Sequence, residues 1–158
     1  MKFEKIANSI GTIGLIISLV FLGYETHVNT QTVRATSNDV INNTNIEFIR
    51  MLAENEELGK LFEEASESWN ELDETGKRTS NYLFIQYFRQ NENMFYQNRI
   101  GVFDDDLWLS HKVIVTSYFH KNGVQEWWAV RRGAFSEDFR NFLEASDKSA
   151  GLKTIKDL

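Results

Sequence analysis

The chain has 158 residues, enough for one domain, and its net charge of -6 argues against general nucleic-acid binding. It contains no cysteine, which excludes disulfides, thiol nucleophiles and cysteine metal sites. It also contains no proline, and 42% of its residues are hydrophobic. Long uninterrupted helices and a buried core are therefore both expected.

An uncharged, mostly apolar segment lies between Lys5 and Glu25. As an α-helix it would be about 28 Å long, close to the ~30 Å thickness of the hydrocarbon layer. We therefore interpret residues 1–24 as a retained membrane anchor. A cleaved signal peptide is an alternative because Lys2 and Lys5 precede the segment, although no small-x-small site directly follows Leu22. A buried core helix is the third alternative.

Small residues recur along the predicted anchor. Ala7, Gly11, Gly14 and Ser18 are spaced by 4, 3 and 4 positions, so they share one helix face, which continues to Glu25. Small residues allow two helices to approach closely in lipid. The pattern predicts a helix-packing seam toward another membrane protein or a second copy, with membrane lipid around it. Alternatively, glycine and serine are simply common in membrane helices.

The remaining chain divides into three predicted parts. Residues 25–39 are rich in Thr and Asn and contain no Gly or Pro, which indicates a polar helical stalk. Residues 40–146 show helical apolar spacing and many aromatic residues. We therefore predict an all-α protein, with one N-terminal transmembrane helix continuing into a small aromatic-rich bundle of about five helices. Residues 147–158 are expected to form a frayed tail.

Capping residues mark the predicted helices of the bundle. Helix starts are predicted after four N-cap residues: Asn55, Asp73, Asp104 and Ser136. The helix after Asp73 should end near Gly101 and is aromatic on more than one side, so we expect it to be central. Asn122 and Gly123 predict a turn.

Metal and cofactor chemistry is not indicated. His27, His111 and His120 form no His-x-x-x-His or Glu-x-x-His pair, so no helical metal site, cofactor or catalytic set is predicted. Asp104, Asp105 and Asp106 are consecutive, whereas a calcium loop alternates its ligands. We interpret these acids as a helix cap.

A Trp–Arg cluster is the first candidate surface of the bundle. Arg131 follows Trp127 by four residues, and Arg132 follows Trp128 by four, a spacing that would suit guanidinium groups over indoles. This pattern could form a platform for a ligand, a lipid headgroup or a partner. The alternative is a Trp buried in the bundle and covered by an Arg.

The helix predicted after Asp73 provides a second candidate surface. Tyr87, Phe95 and Tyr96 alternate there with polar residues, and with Trp128 they could line a pocket for a hydrophobic ligand. The alternative is a core helix with solvated remaining faces.

Five stretches of the chain, taken in order, resemble a known family. They are residues 22–30 (LGYETHVNT), 51–58 (MLAENEEL), 93–101 (NMFYQNRIG), 106–108 (DLW), and 127–142, from WW to FSEDFRNF. The chain resembles a widespread, uncharacterised family of short bacterial proteins with an N-terminal membrane helix and a helical domain. No activity, cofactor or catalytic residue is assigned to that family, so the resemblance implies a bacterial inner-membrane, single-pass protein and nothing about chemistry.

Flanking charges and the family resemblance give opposite indications of the side of the membrane on which the domain lies. Lys2 and Lys5 precede the span and Arg34 follows it, which favours a domain outside the cytoplasm. Members of the family that this chain resembles carry arginines just after the span, at the positions that correspond to His27 and Arg34 here. Arginines at those positions imply a cytoplasmic domain. We favour the cytoplasmic side.

These features predict a membrane-anchored accessory or interaction protein that associates with or stabilises a membrane protein complex. The alternative is a binding module that holds a lipid or another hydrophobic ligand in the helical bundle. An enzyme is not indicated, because no convergent acid–base or nucleophile set is recognisable.

Overall fold

The computed structural model describes residues 2–148, and their side chains from residue 11 onward. The described part is 86% helical, with no strand among its residues, which confirms the all-α prediction. The elements are α1 (Lys2–Glu54), α2 (Glu56–Glu67), α3 (Glu74–Arg99), α4 (Asp105–Phe119), α5 (Asn122–Arg131), a 3₁₀ turn (Arg132–Ala134) and α6 (Glu137–Glu144). They form two compact units, Met1–Ser37 and Asn38–Leu158, each considered by itself below.

The first unit is the N-terminal part of α1. Every side chain from residue 11 to residue 36 is exposed, including the large apolar ones such as Leu15, Leu19 and Phe21. α1 is the one helix in the described chain that is long and apolar enough to cross a membrane, a property that signal sequences share. None of its apolar window is buried in the protein, which is contrary to the core-helix alternative.

Hydroxyl groups along α1 bond back to the helix itself. Ser18 donates to the carbonyl of Gly14 at 2.9 Å, Thr26 to that of Leu22 at 2.7 Å, and Thr30 to that of Thr26 at 2.9 Å. Threonine is a weak helix former, but this bond satisfies its hydroxyl within the helix. The Thr-rich segment therefore continues α1 without a break, and the helix ends only before the cap of α2.

Side-chain caps define the helices of the second unit. Each of the four predicted N-caps accepts a bond from a backbone N–H of the helix it opens: Asn55 from Leu58 (3.1 Å), Asp73 from Gly76 (2.7 Å), Asp104 from Asp106 (2.9 Å) and Ser136 from Phe139 (3.4 Å). The three consecutive acids at the start of α4 are thus the cap and the first turn of a helix, where the dipole favours negative charge.

The predicted turn at Asn122 and Gly123 is wrong. α5 begins at Asn122, and the turn between α4 and α5 is formed by His120 and Lys121, just before it. A Cβ at position 123 would lie 2.0 Å from the backbone oxygen of Ala65 in α2. Gly123 is therefore required by the close approach of two helices, a role that an Asn-Gly pair in the sequence does not distinguish from a turn.

The core of the second unit is mainly aromatic. Phe84, Phe88, Trp127 and Phe139 are fully buried, and Phe88 stacks on Trp127 with ring centroids 5.6 Å apart. A smaller apolar cluster joins α1, α3 and α4 through Ile41, Met94, Phe103 and Trp108. Buried residues of α3 run from Ser80 to Met94, so this helix crosses both clusters.

Candidate functional site

The predicted seam of the anchor is open on its described part. Apart from adjacent residues and the backbone of their own helix, no described atom lies within 4 Å of a Cβ added at Gly11 or Gly14. Ser18 bonds only to its own helix among the contacts described, and Glu25 is exposed. The side chain of Ala7 lies outside the described residues. The face therefore presents small groups that a second helix could contact closely.

The Trp–Arg cluster is divided between the core and the surface. Trp127 and Trp128 are buried, and their indole N–H groups donate to Asn81 (3.1 Å) and Glu144 (2.9 Å). Arg132 binds the second oxygen of Glu144 at 2.8 Å, and Arg131 is exposed. The structure therefore shows the alternative of buried Trp side chains, because satisfied N–H groups allow both indoles to enter the core.

The predicted aromatic residues of α3 also point in different directions. Tyr87 is buried, and burial together with the neighbouring Tyr118 raises its pKa above the usual value. Phe95 is partly buried and stacks on Phe142 at 5.0 Å, whereas Tyr96 is 59% exposed. Tyr96 is thus the α3 aromatic of the predicted set that reaches the surface.

An open groove runs between the last part of α1 and the outward side of α3. Its volume is about 790 Å³. We call it the α1–α3 groove and define it by Val40, Ile41, Thr44, Tyr82, Ile85, Gln86, Arg89, Gln90, Glu92, Asn93, Tyr96 and Ser136. Tyr82 and Tyr96 stand at its two ends, 65% and 59% exposed. Large apolar groups exposed around a concave surface are typical of binding sites.

An ion-pair network fixes the wall of the groove near α6. The Arg89 guanidinium binds the carboxylate of Glu92 and donates to the carbonyl of Ala134 at 2.6 Å. The other oxygen of Glu92 accepts the backbone N–H of Ser136 at 2.7 Å. Arg89 also lies over the ring of Phe135, 5.1 Å from its centroid. The network ties α3 to the joint before α6, so this wall is preorganised.

A smaller groove, of about 370 Å³, adjoins the α1–α3 groove and shares Glu92, Tyr96 and Ser136 with it. It extends past Arg99, which forms an ion pair with Asp138 of α6 and lies over the ring of Phe95. The outward side of α3 is therefore accessible from Tyr82 to Arg99, about 26 Å along the helix axis.

The sequence analysis missed most of this groove. Tyr96 was predicted to line a pocket together with polar residues of this helix, Arg89 among them, whereas Tyr82 and Ile85 were not. One usable signal is present: Tyr82, Arg89 and Tyr96 are spaced by seven residues, which places them on one helix face. The spacing alone does not show whether that face is buried. That depends on how closely the short side chains Val40 and Thr44 of α1 approach α3.

Comparisons with known proteins identify no relative. No family model, no curated protein and no solved structure matches the chain. Among the side chains that the structure describes, residues 11–148, no group of three or more His, Asp or Glu is arranged to hold a metal ion. The site is thus characterised by its shape and its exposed side chains.

Proposed function

We propose that this protein is a membrane-anchored helical interaction protein. Its α1 helix holds it in the bilayer, and its α1–α3 groove binds a helix of a membrane protein complex, which it stabilises or positions. The observation that carries the proposal is the open groove with exposed Tyr82 and Tyr96 at its ends. Tyr is enriched among residues that dominate binding energy at protein interfaces.

The shape of the groove favours a helix as its occupant. The groove is open, and it lies between residues 38–54 of α1 and α3, which belong to the same unit. An amphipathic helix can lie in such a trough with its apolar side inward, as in helix-in-groove recognition. The aromatic core beneath it is closely packed, with the ring centroids of neighbouring buried residues between 5.1 Å (Tyr87 and Phe88) and 6.3 Å (Phe88 and Phe135) apart.

We place the anchor in a bacterial inner membrane, with the domain on the cytoplasmic side. The exposed apolar part of α1 supports membrane insertion, and the family resemblance supports the bacterial setting and the side. Single cysteines test the side, because the natural chain has none. Val130→Cys, at a 65% exposed position of the domain, should resist an impermeant thiol reagent in intact cells and react after lysis. Labelling in intact cells would contradict the cytoplasmic side.

A lipid-binding module is the second candidate function. A volume of about 790 Å³ lies within the range of small-molecule sites. Gln90 lines the groove, and its side-chain nitrogen is buried without a hydrogen-bond partner in the described part of the chain. Such a donor would suit the carbonyl of an acyl lipid, because pairing removes the cost of an unsatisfied buried group.

Purification of the tagged full-length chain in mild detergent distinguishes the two candidates. Tyr82→Glu should abolish recovery of the partner protein, while Val130→Glu, at an equally exposed position of α5, should leave it unchanged. Recovery of a clean monomer from the unaltered chain would contradict the proposal. Solvent extraction of the same sample would reveal an acyl lipid in stoichiometric amount if the second function is correct.

A further inference from the structure

We infer that residues 38–54 of α1 form a detachable latch, which opens away from α2–α6 while those helices keep their own core. We call this segment the α1 latch. Its opening is a conformational change within the second unit, so it goes beyond the proposed function and needs no occupant of the α1–α3 groove.

Apolar side chains hold the α1 latch against the rest of the unit. Ile41 and Phe48 are each 3% exposed. The ring of Phe48 lies 5.7 Å from that of Phe62 in α2 and 5.8 Å from that of Tyr87 in α3. Within the described part of the chain, no side chain of the latch forms a hydrogen bond or an ion pair with α2–α6. The latch is therefore attached by packing alone.

The other helices of the unit are also joined by polar bonds. Lys121, directly before α5, pairs with Glu67 of α2 at 2.9 Å. Trp127 of α5 donates its indole N–H to Asn81 of α3 at 3.1 Å. These bonds, together with the buried aromatic rings of α3, α5 and α6, do not involve the latch. α2–α6 therefore have the contacts to stay together when the latch opens.

Buried polar atoms without partners concentrate where the latch meets α3. Among the described residues, four such side-chain atoms exist, and three lie at this contact: Asn38 Oδ1, the Tyr87 hydroxyl and Gln90 Nε2. Asn38 precedes Ile41 by three positions and so shares the buried face of the latch. Tyr87 packs on Phe48, and Gln90 lines the α1–α3 groove. The contact is thus the least satisfied one of the unit in its polar groups.

These unpaired atoms favour opening of the latch. Water would bond to them once the latch separates, whereas each is costly to keep buried without a partner. Burial of Ile41 and Phe48 opposes opening. A segment held by few apolar side chains opens at a lower free energy than global unfolding requires. Because α1 also carries the anchor segment, this opening is a step through which events at the anchor can reach the domain.

Thiol labelling measures the opening, because the natural chain has no cysteine. Ile41→Cys reports from the buried face of the latch. Met94→Cys reports from α3, where Met94 packs in the same cluster as Ile41, and it leaves the latch unaltered. Val124→Cys in α5, at a 1% exposed position, is the control that becomes accessible when the α2–α6 core unfolds.

Each full-length variant is purified in mild detergent, checked for its fold by circular dichroism and treated with a small thiol reagent under native conditions. We expect Ile41→Cys and Met94→Cys to react at least about tenfold faster than Val124→Cys, because opening needs less free energy than unfolding. Equal rates at the three positions would overturn the latch, since only global unfolding would then expose them.

A change in the core separates the two kinds of opening more sharply. Leu143→Ala removes a fully buried side chain of α6, which destabilises the closed and the latch-open forms alike. Labelling of Val124→Cys should therefore accelerate at least about tenfold, while labelling of Ile41→Cys should stay the same. Equal acceleration of both would show that the latch does not open by itself.

Removing the unpaired groups tests the cause of the opening. Tyr87→Phe with Gln90→Leu deletes two of the three unpaired atoms and keeps similar side-chain volumes. Labelling of Ile41→Cys should become about tenfold slower, because the closed form no longer buries those groups. Tyr82→Phe with Gln86→Leu makes the same replacements at exposed positions of α3 and should leave the rate unchanged. Equal effects of the two double variants would overturn the role of the unpaired atoms.

Discussion

The two units of this chain use the same apolar residue types in opposite ways. In the first unit, Ile, Leu, Val and Phe side chains from residue 11 to residue 22 are exposed all around the helix. In the second unit, Phe84, Phe88 and Trp127 are buried in a closely packed core. Exposed hydrocarbon of this extent is unfavourable in water, and the first unit belongs to a helix that is long and apolar enough to cross a membrane, a property that signal sequences share. The second unit buries its largest aromatic residues itself and leaves the α1–α3 groove open on its surface.

The largest expected effect tests the second unit alone. Trp127→Ala should lower the free energy of unfolding of the helical domain by about 3–5 kcal/mol, because it removes a fully buried indole and leaves a cavity. Chemical denaturation followed by tryptophan fluorescence measures the change. Membrane association should persist, since the anchor does not depend on that core. Loss of membrane association together with folding would contradict the independence of the units.

The next change tests the first unit. Leu19→Arg places a charge in the middle of the exposed apolar segment, at a cost of about 2.5–3.5 kcal/mol for insertion into a bilayer. The fraction of protein that remains with membranes after alkaline washing should fall, while the thermal transition of the domain should be unchanged. Leu19→Ile is the matched control and should behave as the natural chain. Unchanged retention of Leu19→Arg would be contrary to a membrane-spanning α1.

A third prediction concerns the contact between α2 and α5. Gly123→Ala should destabilise the domain by about 1–3 kcal/mol, because its Cβ would overlap the backbone oxygen of Ala65. Gly133→Ala is the control, since apart from adjacent residues and its own helix backbone no described atom lies within 4 Å of a Cβ at that position. Thermal unfolding of both variants measures the difference. Equal melting temperatures would show that α5 does not approach α2 so closely.

The smallest expected effect concerns Tyr87. Its hydroxyl is buried and has no hydrogen-bond partner among the described residues, and burial keeps its pKa high. Tyr87→Phe removes an unsatisfied polar group while keeping the ring, so stability should stay the same or rise by up to about 1 kcal/mol. Denaturant titration measures this change. A loss of more than about 1 kcal/mol would indicate a bonded hydroxyl in the folded protein.

Local signals in the sequence predicted the helices well. Asn55, Asp73, Asp104 and Ser136 were identified as caps because a cap needs only a short polar side chain and the backbone three residues ahead. The continuous α1 followed from the absence of glycine and proline after the span. Asn122 and Gly123 were misread because the reason for that glycine lies in another helix.

The candidate site was less predictable because it depends on contacts between different helices. In sequence, Trp127 and Trp128 fit either a surface platform or a buried position, and burial depends on Asn81 and Glu144, which satisfy their N–H groups. The α1–α3 groove depends on the separation of two helices whose sequences lie about 40 residues apart. Periodicity identifies the faces of a helix, but tertiary packing decides which face stays exposed.

The most direct test of the contrast between the two units measures which of them water reaches. Ile16→Cys and Val130→Cys occupy exposed positions of the anchor and of the domain in chains that otherwise lack cysteine. In isolated open membranes, we predict that a water-soluble maleimide labels Val130→Cys fully and labels Ile16→Cys only after the bilayer is dissolved and the protein denatured. Equal labelling of both positions in intact bilayers would contradict the account.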